Sequence, residues 1–170
     1  MYDSIKEYIS RDDCIFIDDN FSIKDLNIEL IHTSHDAPSS VGYIIENNGK
    51  SLVYVTDTGY INRKFLAKMV GKDCYIIESN HDEKMLMDGP YPRFLKERVI
   101  SDKGHLSNIT TSKYLKKIIG SNTKTIVLAH LSETNNTQEL AYTTVREALE
   151  EKELNIIVAK QHEPSSIIEV

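Results

Sequence analysis

Residues 42–60 read GYIIENNGKSLVYVTDTGY, two runs rich in β-branched and aromatic residues on either side of Asn47-Asn48-Gly49. Asn-Gly between such runs supplies the left-handed residues that a tight hairpin turn needs, so strand, turn and strand are expected here. The second strand stops at Asp57, inside Thr56-Asp57-Thr58-Gly59. An apolar run that ends on a carboxylate places that group at the rim of a sheet, where side chains from separate strands converge.

Three more apolar runs end in the same way. Upstream, FSIKDLNIELIHTS (21–34) alternates apolar and polar residues as a strand does and delivers His32 and His35 in IHTSHDA. Downstream, INRKFLAKMVG (61–71) reads as a helix closed by Gly71, and DCYIIES (73–79) as a buried strand ending beside His81. HDEKMLMDGPYPRFLKERVI (81–100), broken by Gly89, Pro90 and Pro92, predicts two short helices around a turn. SNITTSKYLKKIIG (107–120) predicts a helix capped by Ser107 or Asn108 and stopped by Gly120, before TIVLAHLS (125–132), a strand that presents His130. QELAYTTVREALEEK (138–152) is an amphipathic helix, NIIVAK (155–160) and SIIEV (166–170) are two last strands, and MYDSIKEYIS (1–10) is an opening helix. The alternation of strand and helix predicts a layered α/β domain of mixed sheets flanked by helices.

The 170 residues, 40% of them hydrophobic, suit one domain over 1–170 with one core. No run approaches the roughly 18 apolar residues of a membrane span, and the first residues lack the apolar centre of a secretory signal, so a cytoplasmic location is expected. Cys14 and Cys74 form no C-x-x-C pair and are expected to be free thiols. A net charge of −6 argues against coating nucleic acid non-specifically, while Arg93, Lys96 and Arg98 make a local basic cluster or a solvated helical face.

His and Asp at four strand ends, IHTSHDA, VYVTDTG, IIESNHD and VLAHLS, are the main chemical signal. Neutral imidazoles with a carboxylate suit zinc, manganese or iron, and a bridging carboxylate suits a two-metal site. Each residue also has a plainer explanation. Asp57 starts an Asp-Thr-Gly turn, His105 follows Gly104 where a helix cap is needed, Asn135 and Asn136 shape a loop, and any one histidine can sit satisfied in a core. His32 fits packing or surface, and His162 a loop.

HTSHDAPSSVGYII, VYVTDTGY, ESNHDEKMLMDGPYPRFLKERVISDKGHLSN and VLAHLSETNNTQELA, in this order, resemble the YycJ/WalJ-like branch of the metallo-β-lactamase superfamily. The resemblance covers nearly the whole chain. It implies a partial αββα sandwich corresponding to the carboxyl-terminal two-thirds of such a hydrolase. It also implies His35 as a ligand to one metal, Asp57 as the bridging carboxylate and His130 as a ligand to the second metal. His105 matches a non-ligand histidine that contacts the scissile phosphate or protonates the leaving group, which with Asp57 makes the catalytic pair; His81 and Asn135 are site-lining residues. The implied activity is nuclease-type phosphodiester hydrolysis of DNA or RNA.

The superfamily's H-x-H-x-D-H segment does not occur in these 170 residues. Three readings follow: a truncated dinuclear phosphodiesterase, a scaffold or binding module that has lost catalysis, and a half-enzyme completed in trans by another chain. The sheet surface that the absent half would cover predicts a homo-oligomer.

Overall fold

The computed structural model describes residues 10, 17, 19–150 and 153–170. The opening helix and Cys14 lie outside the described residues. Seven strands form one mixed sheet in sequence order: β1 (Phe21–Ile23), β2 (Leu26–His32), β3 (Val41–Asn47), β4 (Lys50–Val55), β5 (Cys74–Glu78), β6 (Thr125–Ala129) and β7 (Asn155–Val158). β1 to β4 pair antiparallel and β4 to β7 parallel. Among the described residues five helices accompany them: α1 (Arg63–Lys68), α2 (Glu83–Asp88), α3 (Arg93–Ile100), α4 (Asn108–Ile118) and α5 (Gln138–Leu149).

The β3–β4 hairpin turns at Asn48 and Gly49 with φ of 48° and 75°, as the Asn-Gly pair dictates. The single strand expected across 21–34 is instead a second hairpin, with Lys24 at φ 53° and Ile23 paired to Leu26. Its signature is a break of parity. Ile23 and Leu26 are three apart, so the alternation changes face between them, and Asp25 suits a turn. SIIEV forms no strand, and Ile167 is 94% exposed.

One face of the sheet carries the core. Register places Ile44, Val53, Tyr75, Ile126 and Ile156 in one row, and Val55, Ile77, Leu128 and Val158 in another. Phe65 of α1, Leu115 and Ile118 of α4, and Ala141, Val145 and Leu149 of α5 pack on those rows. Their i, i+4, i+8 spacing in α5 makes the buried stripe, and each fully buried Val or Leu contributes roughly 1.5–3 kcal/mol. Tyr75, fully buried, shares its one hydroxyl proton between the carbonyls of Met69 (2.6 Å) and Ile118 (2.9 Å) and accepts from Lys72 N, tying the ends of α1 and α4 to the sheet. On the opposite face Tyr43, Ile45, Leu52, Ile76 and Ile157 keep part of their surface exposed. Cys74 is a buried free thiol.

The parallel half fixes the functional rim. β4, β5 and β6 run the same way, so Asp57, Glu78 and His130 emerge at one edge of the sheet.

Candidate metal centre

Four of the sequence-predicted residues meet at that rim. His35 follows β2, Asp57 follows β4, His105 follows α3 and His130 follows β6. The ring centroids of His35 and His105 are 5.0 Å apart, and those of His105 and His130 5.2 Å. Nε2 of His35 and Nε2 of His130 each lie 3.6 Å from the same Asp57 Oδ1. Asp57 and His130 hold left-handed backbone, φ 55° and 58°, a conformation that costs a non-glycine residue about 1–3 kcal/mol and that clusters at functional sites.

The organising group is one the sequence reading passed over. Glu78, the last residue of β5, is fully buried. Its Oε1 lies 2.7 Å from His105 Nδ1 and 2.6 Å from His130 Nδ1, while Oε2 accepts from the backbone N–H groups of Thr58 and Leu106 at 3.2 Å each. Burial pushes the Glu78 carboxyl upward, but the hydrogen bonds and charges of His105 and His130 outweigh it and hold the group below its ordinary range. An ionised carboxylate only accepts, so both rings donate Nδ1–H to it and turn Nε2 outward. His35 is oriented in the same sense by the Gly104 carbonyl, 3.3 Å from its Nδ1. The hydrogen bond to Glu78 also raises the His130 pKa, against burial and with help from the Glu78 and Asp57 charges.

The donor chemistry fits a divalent ion. Asp57, Glu78, His105 and His130 each offer a ligand atom within 4.8 Å of the others, but the Glu78 oxygens already accept four hydrogen bonds. The atoms left free include Nε2 of His35, of His105 and of His130, and Oδ1 of Asp57; of the three rings, those of His35 and His130 bring Nε2 toward that oxygen. Separations of 3.6 Å are too long for hydrogen bonds and close to the ~3.3 Å kept by two ligands at about 2.0–2.1 Å from a tetrahedral ion. Nδ1–H anchored on a carboxylate or carbonyl, with Nε2 presented to the metal, is the usual arrangement of ligand histidines.

Residues 6–131 match the family described as Beta-lactamase superfamily domain. The chain belongs to the metallo-β-lactamase superfamily. It is 41% identical over 128 residues to exodeoxyribonuclease YycJ of Bacillus anthracis, covering 75% of this chain and 48% of that protein. To exodeoxyribonuclease WalJ of Streptococcus pneumoniae it is 39% identical over 132 residues, 78% of this chain and 49% of that one. The chain thus spans about half the length of the curated relatives it matches. The metallo-β-lactamase fold protein YhfI from Bacillus subtilis superposes with a TM-score of 0.65 at 15% identity, over 93% of this chain and 58% of that one. A possible metal-dependent hydrolase from Veillonella parvula gives 0.63 at 14%, over 94% and 62%.

Around this superfamily site the other sequence candidates take different places. His81 and Asn135 are buried, and His81 Nδ1 and Asn135 Oδ1 have no hydrogen-bond partner among the described residues. Burial lowers the His81 pKa despite the nearby Glu78 and Glu83 charges. Asn136, expected only to shape a loop, is a structural hub: its Nδ2 reaches the carbonyls of Ser79 and Asn80 and the side chain of Asn108, and Ser79 Oγ donates to Asn108 as well. Ser107, not His105, caps α4 by accepting from Thr110 N. His32 is exposed with its ring 6.0 Å from Phe65, and His162 is exposed beside Glu133. The basic cluster is largely engaged: Arg93 with Glu97, Lys96 with the Met87 carbonyl, Arg98 with Asp36 at 2.5 Å. Asp36 Oδ1 lies 3.5 Å from His35 Nε2, so this ion pair braces α3 against the site.

Proposed function

We propose that this domain, over 1–170, carries part of the active centre of a metal-dependent phosphodiesterase acting on nucleic acid, of the kind its exodeoxyribonuclease relatives are named for. The observation that carries the reading is the pair of imidazole Nε2 atoms facing one Asp57 oxygen while their Nδ1 atoms are anchored elsewhere. His35, Asp57 and His130 would hold divalent ions, zinc or alternatively manganese or iron. Asp57 is suited to bridge two of them, since its Oδ2 takes only a 3.5 Å contact from Thr56. Such ions supply Lewis acidity toward a phosphoryl oxygen and toward water.

The chain's own residues do the rest. Hydrolysis adds water across a P–O bond: a hydroxyl joins phosphorus, and the departing oxygen takes a proton. His105 would make that delivery. Glu78 fixes its ring through Nδ1 and balances the positive charge while Nε2 carries the proton. Arg98 and Asn80 line the adjoining cleft of about 380 Å³ together with His105 and His130, and give it donors for phosphate oxygens.

Among the described residues no helix is long and apolar enough to cross a membrane. A cytoplasmic setting and a homo-oligomer that covers the partly exposed sheet face complete the reading, and a monomer in sedimentation would remove the oligomer from it. The alternative is a scaffold without catalysis. Elemental analysis of the purified chain and of Asp57→Ala with His130→Ala decides between them. Metal in stoichiometric amount, one or two ions, that is lost from the double variant supports the enzyme; no metal in either supports the scaffold.

A further inference from the structure

His105 stands between two clefts of different character. The one over His130 carries Arg98, Asn80 and Tyr91. The other, about 300 Å³, has no lysine or arginine in its lining. Its polar wall is His81, Glu83, Ser107 and Thr110, and its apolar wall Met87 and Ile100, which are 59% and 54% exposed. Ser107 spends its hydroxyl on Glu83 Oε1, Thr110 Oγ1 and the helix cap. Glu83 is exposed, and its Oε2 has no hydrogen-bond partner among the described residues, so the carboxylate is open to a group in the cleft, whereas His81 is 2% exposed.

We infer that this second cleft is a base-binding subsite, taking the nucleobase on the leaving-group side of the scissile bond and preferring bases with several N–H donors on their pairing edge. The inference rests on the phosphodiesterase reading and deepens it. The carboxylate of Glu83 repels phosphate, so the cleft suits the uncharged part of a nucleotide. A flat ring against apolar side chains, with its edge toward an acceptor carboxylate, matches how extruded bases are read. Guanine, with N–H donors at two adjacent positions, complements Glu83 best. His105 then lies at the junction of a phosphate-binding cleft and a base-binding cleft, where a proton donor to the bond between them belongs.

The test is a nuclear magnetic resonance titration of the zinc-loaded full chain, following the Met87 methyl and the histidine rings. Two probes are added separately, 2′-deoxyguanosine and inorganic phosphate. Deoxyguanosine should shift Met87 and His81. Glu83→Gln should weaken that binding about tenfold or more by removing a charge-assisted acceptor, and Met87→Lys, at an exposed position, should block it without touching the core. Phosphate should shift His105 and His130 only, and only with zinc present. No response to millimolar deoxyguanosine, a response at Tyr91 in place of Met87, or an equal response to free deoxyribose would overturn the inference. The phosphate arm reports separately on the phosphodiesterase reading, so the two can fail independently.

Discussion

Glu78 Oε1 lies 2.6 Å from His130 Nδ1, although 52 positions separate the two residues. The same oxygen holds His105 at 2.7 Å, so one buried carboxylate sets the orientation of two site histidines. Glu78→Gln turns an acceptor-only group into one that presents an N–H₂ to existing donors. Zinc affinity is expected to fall about 10–100-fold, the usual cost of losing a partner behind a metal ligand. Stability should fall by about 2–4 kcal/mol, since buried donors of Thr58, Leu106 and the rings lose their acceptor. Zinc titration and urea unfolding of the variant check both; a variant as stable as the parent would show that the four donors find other acceptors.

His81 should make the fold sensitive to acid. Its pKa in the folded chain is depressed by burial below the ordinary 6.5, so the unfolded chain binds its proton first on acidification. The stabilisation from a neutral His81 is complete above pH 6.5 and is lost as pH falls below it. His130, with a raised pKa, works with the opposite sign: its contribution is present below pH 6.5 and fades as pH rises through the folded value. The clean measurement is therefore a difference. Melting temperatures of the parent and His81→Phe, taken from pH 7.5 to pH 5, should diverge in favour of the variant toward acid; parallel curves would mean that His81 is not buried neutral.

The layers were readable because apolar periodicity and turn chemistry agreed. Asn48-Gly49 fixed one hairpin and Ser107 one cap, and each of four strands ended at a residue of the site. What escaped notice was Glu78. Inside IIESNHD it reads as a polar strand terminus beside the more conspicuous His81, and only the parallel register of β5 with β6 brings it between two histidines from other loops. The signal was available: a carboxylate closing a nearly continuous apolar run needs several donors, and such donors come from loops that meet at the rim. The Ser79, Asn108 and Asn136 network is invisible for the same reason, since its members lie 28 or more positions apart. The β1–β2 turn was visible in the parity of Ile23 and Leu26, which a count of apolar residues alone does not register.

Tyr75→Phe removes one oxygen from the core and leaves three groups without their partner: the carbonyls of Met69 and Ile118 and the N–H of Lys72. Two of these bonds are buried, so a loss of about 1–3 kcal/mol is expected from orphaned polar groups, in spite of the variant's more apolar ring. The site is remote from this contact. Zinc affinity of the folded variant should equal that of the parent, and a matching loss of both would show that the ends of α1 and α4 are coupled to the candidate metal site.

Gly104 tests the coupling between loop packing and site geometry. A Cβ at this position would stand 2.1 Å from the Val99 carbonyl oxygen and 2.3 Å from that of Arg98, both backbone atoms that cannot swing aside. Gly104→Ala must therefore displace the turn after α3. That turn carries His105 as the next residue, and the Gly104 carbonyl is the group facing His35 Nδ1. A single methyl thus disturbs two of the histidines while leaving every candidate ligand in the sequence. The expected result is a folded protein destabilised by about 1–3 kcal/mol through overpacking, with weaker zinc binding and shifted ring resonances of both His35 and His105. His130, anchored by Glu78 from β5, should keep its resonance; if it moves as far as the other two, the site behaves as one rigid unit and the loop after α3 does not set His35 and His105 independently.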